Sequence, residues 1–423
     1  MATPIRRRTL LAAGAGAVAA ALPTAPALAG RRPSRGVGFT LNAEVLDGGE
    51  QVTSVTLGTS RLGRVDPAGL TTRTFTVHAR ATSPFPVGAD TILSEYEGER
   101  EVTAVRLDRR GDVVLELASG EGVARASTLG YLVTRGRNVV LDLEYTITQN
   151  TPLDLRGRRP VTIPRFVQGR LVDPEVDAFR HRTSRSGLKY RLFSPDRRGR
   201  GRHRARGRRP LVVWLHGGGE GASLPDGYYD NETTLRANRG ALGFATPEAQ
   251  AIFGGAHVVA PQSTSFWLED GDRFAPQLRR LVAEVVRDHD VDRDRIYLAG
   301  CSNGGYMTLK LETVYPELFA AAVPICGVVD SFRGSARLIT DDQLRAVETP
   351  TWLVAAADDA TVPPGPNTVH AAELIPDARL TLYDDVTWDG HRFPGHWSWI
   401  YVARNDPRQD GTTIWEWMAR QRR

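Results

Sequence analysis

The stretch Ile296-Tyr297-Leu298-Ala299-Gly300-Cys301-Ser302-Asn303-Gly304-Gly305-Tyr306 carries the strongest structural signal in this chain of 423 residues. Residues 296–299 form a short apolar strand. A turn of small residues follows, and a helical segment is predicted from about Tyr306 to Glu312. Gly300-Cys301-Ser302-Asn303-Gly304 is a G-x-S-x-G pattern in a strand-to-helix setting. That setting strains the serine backbone and needs small neighbours where the chain packs closely. The geometry lifts the Ser302 hydroxyl to the end of a sheet, at a helix N-terminus that favours developing negative charge.

Working outward, further short apolar runs occur at 211–215, 258–260, 320–325 and 351–355. The segment 274–288 places Leu278, Leu281, Val282 and Val285 three and four residues apart, on one helical face. Strands alternating with helices predict an α/β class with a mostly parallel sheet covered on both sides, over residues 172–423. Residues 37–168 read differently. In Arg73-Thr74-Phe75-Thr76-Val77-His78-Ala79-Arg80, apolar residues alternate with polar ones, as in a half-buried strand. Similar runs lie at 52–57, 102–107, 113–117 and 139–147, and Arg109-Arg110-Gly111-Asp112 reads as a hairpin turn. Short strands without a helical stretch predict a β-sandwich. This half shows no cluster of candidate catalytic side chains, so it reads as a structural or substrate-framing module.

A serine nucleophile needs a base, and the base needs an orienting acid. In this chain order the acid follows a later strand and the histidine comes last. Asp358 and Asp359 follow the run 351–355, and the spacing Asp359-Ala360-Thr361-Val362-Pro363 favours Asp359. Asp384 and Asp385 follow a later strand and are the weaker choice. His396, in Gly395-His396-Trp397-Ser398-Trp399, is the expected base, with His391 as the fallback. The backbone N–H groups of Gly218 and Asn303 are the expected oxyanion donors, Gly218 lying in His216-Gly217-Gly218-Gly219-Glu220-Gly221. That loop lacks the Gly-Lys-Ser/Thr ending of a phosphate-binding loop. Trp267, Trp397 and Trp399 are candidates for lining the substrate pocket.

Composition bounds the alternatives. Hydrophobic residues at 41% and charged residues at 24% are globular values, which excludes a disordered or fibrous chain. The formal net charge is +5, and three of those charges are Arg6, Arg7 and Arg8. The remaining excess is too small for a nucleic-acid binder. Arg6-Arg7-Arg8-Thr9-Leu10-Leu11, an apolar Ala/Gly-rich run to Leu22, and Ala27-Leu28-Ala29 form a twin-arginine export signal over residues 1–29. The expected location is therefore extracellular, with no membrane-spanning segment after signal removal. The segment 197–209 holds eight arginines among thirteen residues. It is expected in a solvated hairpin loop, where it offers contact with an anionic surface. Cys301 and Cys326 are either a disulfide or two buried free thiols, and their spacing does not resemble a zinc site.

Together these motifs resemble α/β-hydrolase esterases, in particular bacterial esterases with an immunoglobulin-like N-terminal domain. The catalytic domains of that group are related to polyhydroxybutyrate depolymerases and prolyl-oligopeptidase-type hydrolases. The resemblance implies an α/β-hydrolase domain preceded by an all-β immunoglobulin-like sandwich. It also implies Ser302 as nucleophile, His396 as base, Asp359 as acid, small or polymeric carboxylic esters as substrates, and no cofactor or metal. The chain differs from many polyester depolymerases in carrying Gly218 where they have a cysteine. The competing expectations are a serine peptidase with the same triad, a surface-binding protein and, as a third, a polyester (polyhydroxybutyrate-like) depolymerase. The missing propeller insertion weighs against the first, and the intact serine, aspartate and histidine set weighs against the second.

Overall fold

The computed structural model describes residues 36–195, 207–331 and 334–423. The expected export signal and residues 197–206 of the arginine-rich stretch lie outside the described residues.

In the N-terminal part, alternation produces the strands. Val37, Phe39, Leu41, Ala43 and Val45 are buried along the strand Val37–Leu46, while the residues between them are less buried. This strand lies in a five-stranded sheet ordered Phe166–Val172, Val37–Leu46, Gly49–Leu57, Val113–Leu117, Val102–Leu107. Phe166–Val172 pairs in parallel with Val37–Leu46, so the β-rich part runs through to Val172. A second sheet is ordered Asp142–Gln149, Phe75–Thr82, Tyr96–Arg100. Leu41, Val55 and Leu115 of the first sheet share one core with Val77, Tyr145 and Ile147 of the second. Arg100 reaches into that core and is only 4% exposed. Its guanidinium is satisfied by the Tyr145 hydroxyl at 2.8 Å and the carbonyls of Val52 at 3.1 Å and Ala118 at 2.8 Å. The expected turn at Gly111 is present: Gly111 has φ 83°, and Asp108 accepts from the backbone N–H groups of Arg110 at 2.8 Å and Asp112 at 2.9 Å.

The expected single run 139–147 is two strands. Arg137–Val140 belongs to a third sheet, with Ile92–Leu93 and Leu129–Leu132, whereas Asp142–Gln149 belongs to the second. Leu141 lies at the crossing, its N–H donated to the Thr128 carbonyl. Apolar residues continue through the crossing, so periodicity alone does not register the change of sheet.

The C-terminal part is built on an eight-stranded sheet. Its order is Arg180–Thr183, Lys189–Phe193, His257–Pro261, Arg209–Leu215, Val291–Cys301, Ala321–Ile325, Trp352–Ala356, Arg379–Tyr383. The last six strands run parallel. Apolar cores cover both faces. Helices Gly271–Asp288 and Asn303–Val314 pack on one, while Pro247–Phe253, Trp399–Ala403 and Ile414–Arg420 pack on the other. The arginine-rich stretch does not close a hairpin. His257–Pro261 lies between Lys189–Phe193 and Arg209–Leu215, so the connection crosses over a strand.

The β-rich part meets helix ends of the C-terminal part through charged contacts. Arg236 pairs with the fully buried Glu50, Arg404 with Asp47 at 2.8 Å, and Arg239 donates to the Val45 carbonyl at 2.6 Å. No helix among the described residues is long and apolar enough to cross a membrane.

Candidate active site

Ser302 sits at the join between the strand Val291–Cys301 and the helix Asn303–Val314, which starts three residues earlier than its apolar pattern suggests. Its backbone has φ 55° and ψ −115°, a conformation that costs a non-glycine residue about 1–3 kcal/mol. The Ser302 N–H is held by the Ile325 carbonyl at 2.8 Å. The flanking glycines are required by close approach. A Cβ on Gly300 would lie 2.6 Å from the Gly304 carbonyl oxygen, and one on Gly304 would fall on the Leu215 carbonyl.

Ser302 Oγ lies 2.9 Å from His396 Nε2, and His396 Nδ1 lies 2.8 Å from Asp359 Oδ2. In the neutral imidazole, Nδ1–H donates to the Asp359 carboxylate and Nε2 accepts from the serine hydroxyl. The other Asp359 oxygen accepts from the backbone N–H groups of Thr361 and Val362, each at 2.9 Å, which is the physical content of the Asp-x-x-Val spacing. Burial pulls the His396 imidazole down, while the Cys326 sulfur and the Asp359 carboxylate pull it up. The net is upward, to about 10. Asp358 instead pairs with Arg392 at 3.0 Å. A Cβ on Gly395 would crowd Asp358, which explains the glycine before the histidine. His391 packs on Phe393 and Asp385 on Thr387 and Arg392, so neither joins the Ser302 line.

The expected oxyanion loop follows the strand Arg209–Leu215, with Gly218 opening a short turn to Glu220. Phe266 lies over this loop, and a Cβ on Gly218 would be 2.7 Å from its ring. Asn303 Oδ1 accepts from the Leu268 N–H at 3.0 Å, which ties the segment around Phe266 to the serine turn.

The structure corrects one expectation and extends others. Trp267 is fully buried, so it does not line a substrate pocket. Its indole N–H donates to the His216 carbonyl at 3.2 Å, and its ring packs against His216 and Phe274. Trp399 meets the His396 ring edge to face at 5.7 Å and stacks on Trp397, so this pair walls the imidazole. Cys301 and Cys326 are both free and buried, and burial pushes the Cys301 thiol up. Cys326 donates to the His396 carbonyl at 3.3 Å. Cys326, Asp359 and His396 bring three atoms of metal-ligand type within 4.8 Å of one another, and the bond from Asp359 to His396 already engages two of them.

Two loop residues carry no sequence signal of their own. His216 is held neutral, because burial pushes it down to about 3. Its Nδ1–H donates to the Gly217 carbonyl at 2.6 Å, and Nε2 accepts from the Ser263 N–H at 3.0 Å. Burial pushes Glu220 up to about 7, and it accepts from Asn238 Nδ2 at 3.1 Å.

The chain is similar to several known proteins. Residues 263–340 match the prolyl oligopeptidase family. A poly(3-hydroxyalkanoate) depolymerase C of Paucimonas lemoignei is 33% identical over 84 residues, 17% of this chain and 20% of that one. NocK of Nocardia uniformis subsp. tsuyamanensis, a protein named as an esterase, is 30% identical over 123 residues, 29% of this chain and 34% of that one. The chain thus spans between a fifth and about a third of the length of these curated relatives. The crystal structure of a thermostable esterase superposes with a TM-score of 0.72 at 24% identity, covering 91% of this chain and 99% of that one. A likeness of that extent fixes architecture across both parts of the molecule. The C-terminal part of this chain has the α/β-hydrolase fold.

Proposed function

We propose that the chain is a serine esterase that cleaves carboxylic esters through an acyl-enzyme. The observation that carries this reading is the unbroken line from Ser302 Oγ to His396 Nε2 at 2.9 Å and from His396 Nδ1 to Asp359 Oδ2 at 2.8 Å. Ser302 attacks the ester carbonyl as His396 takes its proton, and Asp359 holds the imidazole tautomer and offsets its charge. The N–H groups of Gly218 and Asn303 receive the oxyanion, where one donor is worth about 10²–10³ in rate. His396 then returns the proton to the leaving alcohol, and water attacks the acyl-enzyme to release the acid. Trp397 and Trp399 exclude water from one side of the imidazole.

The β-rich part is read as an immunoglobulin-like module. Two facing sheets and a shared core support that reading. Export by the twin-arginine route is supported by Arg6-Arg7-Arg8 and Ala27-Leu28-Ala29. Exchanging Arg7 and Arg8 together for Lys should retain the protein in the cell, and unchanged export would refute that route.

The activity is tested with p-nitrophenyl acetate, butyrate and octanoate, comparing the protein with Ser302→Ala. Turnover that disappears in the variant is expected, and the profile across the three esters sizes the acyl pocket. Cleavage of peptide amides with no ester turnover would replace the esterase by a peptidase using the same residues.

A further inference from the structure

The hairpin formed by Leu129–Leu132 and Arg137–Val140 belongs to the β-rich part, yet it lies against the loop that follows the strand Arg209–Leu215. A Cβ on Gly219 would be 2.8 Å from Asn138 Nδ2, and one on Gly221 would be 2.7 Å from an Arg137 terminal nitrogen. The Arg137 guanidinium lies over the Phe266 ring at 4.7 Å, and Phe266 is the residue that covers Gly218. The hairpin is anchored to the catalytic part on both sides. The Tyr228 hydroxyl accepts from the Val140 N–H at 2.7 Å, and Arg135 lies 3.6 Å from Asp226.

The state of Arg137 is unusual. It is 8% exposed, yet its Nη1 has no hydrogen-bond partner, and it makes no ion pair among the described residues. Arg100, also buried in the same half, is satisfied by three acceptors. A buried, unneutralised cation is costly where it stands. Burial lowers the Arg137 guanidinium, and the carboxylates of Glu269 and Asp226 oppose this from a distance. Its charge is felt inside the loop, because it helps to keep His216 unprotonated. A fixed positive charge in a low-dielectric wall does most for a neighbouring group that becomes negative only during reaction.

We propose that Arg137 is a positioning residue of the oxyanion loop. It braces Gly221 and Phe266 from the β-rich part and sets a positive charge behind the backbone donors. This rests on the serine-hydrolase reading above. It makes the β-rich part a component of the catalytic centre, which its sequence pattern does not suggest.

The test compares Arg137→Gln and Arg137→Lys with the unmodified protein, each checked for folding by its thermal unfolding midpoint. Two rates are read. One is turnover of p-nitrophenyl acetate. The other is phosphonylation of Ser302 by a fluorophosphonate, which builds negative charge at the same loop and needs no ester substrate. Arg137→Gln should lower kcat and the labelling rate by about tenfold, with KM within about twofold, and Arg137→Lys should recover most of both. Gln at the unmodified rate, or Lys as slow as Gln, overturns the proposal. Should Arg137→Gln fail to fold, Asn138→Asp brings a carboxylate beside Gly219 with Arg137 in place. It should slow labelling more than Asn138→Ala, and equal rates overturn the proposal. A protein that labels but hydrolyses no ester refutes the esterase reading alone, and the labelling rates still decide the role of Arg137. A protein whose Ser302 does not label refutes both.

Discussion

The two parts of this molecule are built from strands of similar length, but their sequences specify different things. In the β-rich part, alternation fixes which face of a strand is buried and leaves its partners open. Val37–Leu46 shows its period of two plainly, yet its parallel partner Phe166–Val172 lies more than a hundred residues away and bears no mark of the pairing. In the C-terminal part, the central strands carry continuous apolar runs, such as 211–215, 296–299 and 321–325, and these say little about facing. There the chemistry at the strand ends supplies the order: Ser302 after Val291–Cys301, Asp359 after Trp352–Ala356, and His396 last. A packing pattern is a statement about one element, whereas a catalytic constellation relates several.

That contrast can be broken or sharpened by substitution. The largest effect is expected where the constellation is interrupted without loss of volume. Asp359→Asn should lower kcat by about 10⁴-fold with the unfolding midpoint nearly unchanged, because the amide favours the wrong imidazole tautomer. A loss below about tenfold would mean that Asp359 does not orient His396. The next effect belongs to the β-rich core. Leu41→Ala should destabilise the protein by about 2–5 kcal/mol in chemical unfolding. Its folded fraction should turn over esters at the unmodified rate, since Leu41 packs between the two sheets, away from the hairpin that reaches the oxyanion loop. A fall in kcat without loss of stability would erase the distinction between the parts.

The smallest effect concerns pH. His396 acts as a base only when neutral, and its imidazole is raised above the ordinary histidine value. Activity is therefore lost as pH falls through that raised value and is full above it. Cys326 contributes to the upward pull, so Cys326→Ala should move the acidic limb of kcat/KM to lower pH and leave the alkaline plateau within about threefold. An unmoved limb would assign the shift to Asp359 alone.

Much of the site was legible because covalent spacing and chain order constrain it. Gly300 and Gly304 mark close backbone approaches, the Asp-x-x-Val spacing marks two N–H bonds to Asp359, and Gly395 makes room for Asp358. What was not legible depends on distant partners. Trp267 reads as a pocket aromatic by type, but it is a buried brace for His216. Glu220 looks like a loop carboxylate, yet burial and Asn238 determine its state. Arg137 is one arginine among many until the fold sets it against Gly221. The change of sheet at Leu141 was hidden because the apolar run continues through it.

The central claim is that Ser302 forms the acyl-enzyme with His396 and Asp359 behind it. It is tested most directly by rapid quenching of the protein with p-nitrophenyl acetate, followed by peptide mass spectrometry. The account predicts one acetyl group on the peptide bearing Ser302, formed in a burst and absent from Ser302→Ala. Ester turnover that leaves Ser302 unmodified, or acetylation of another residue on the path of turnover, would contradict it.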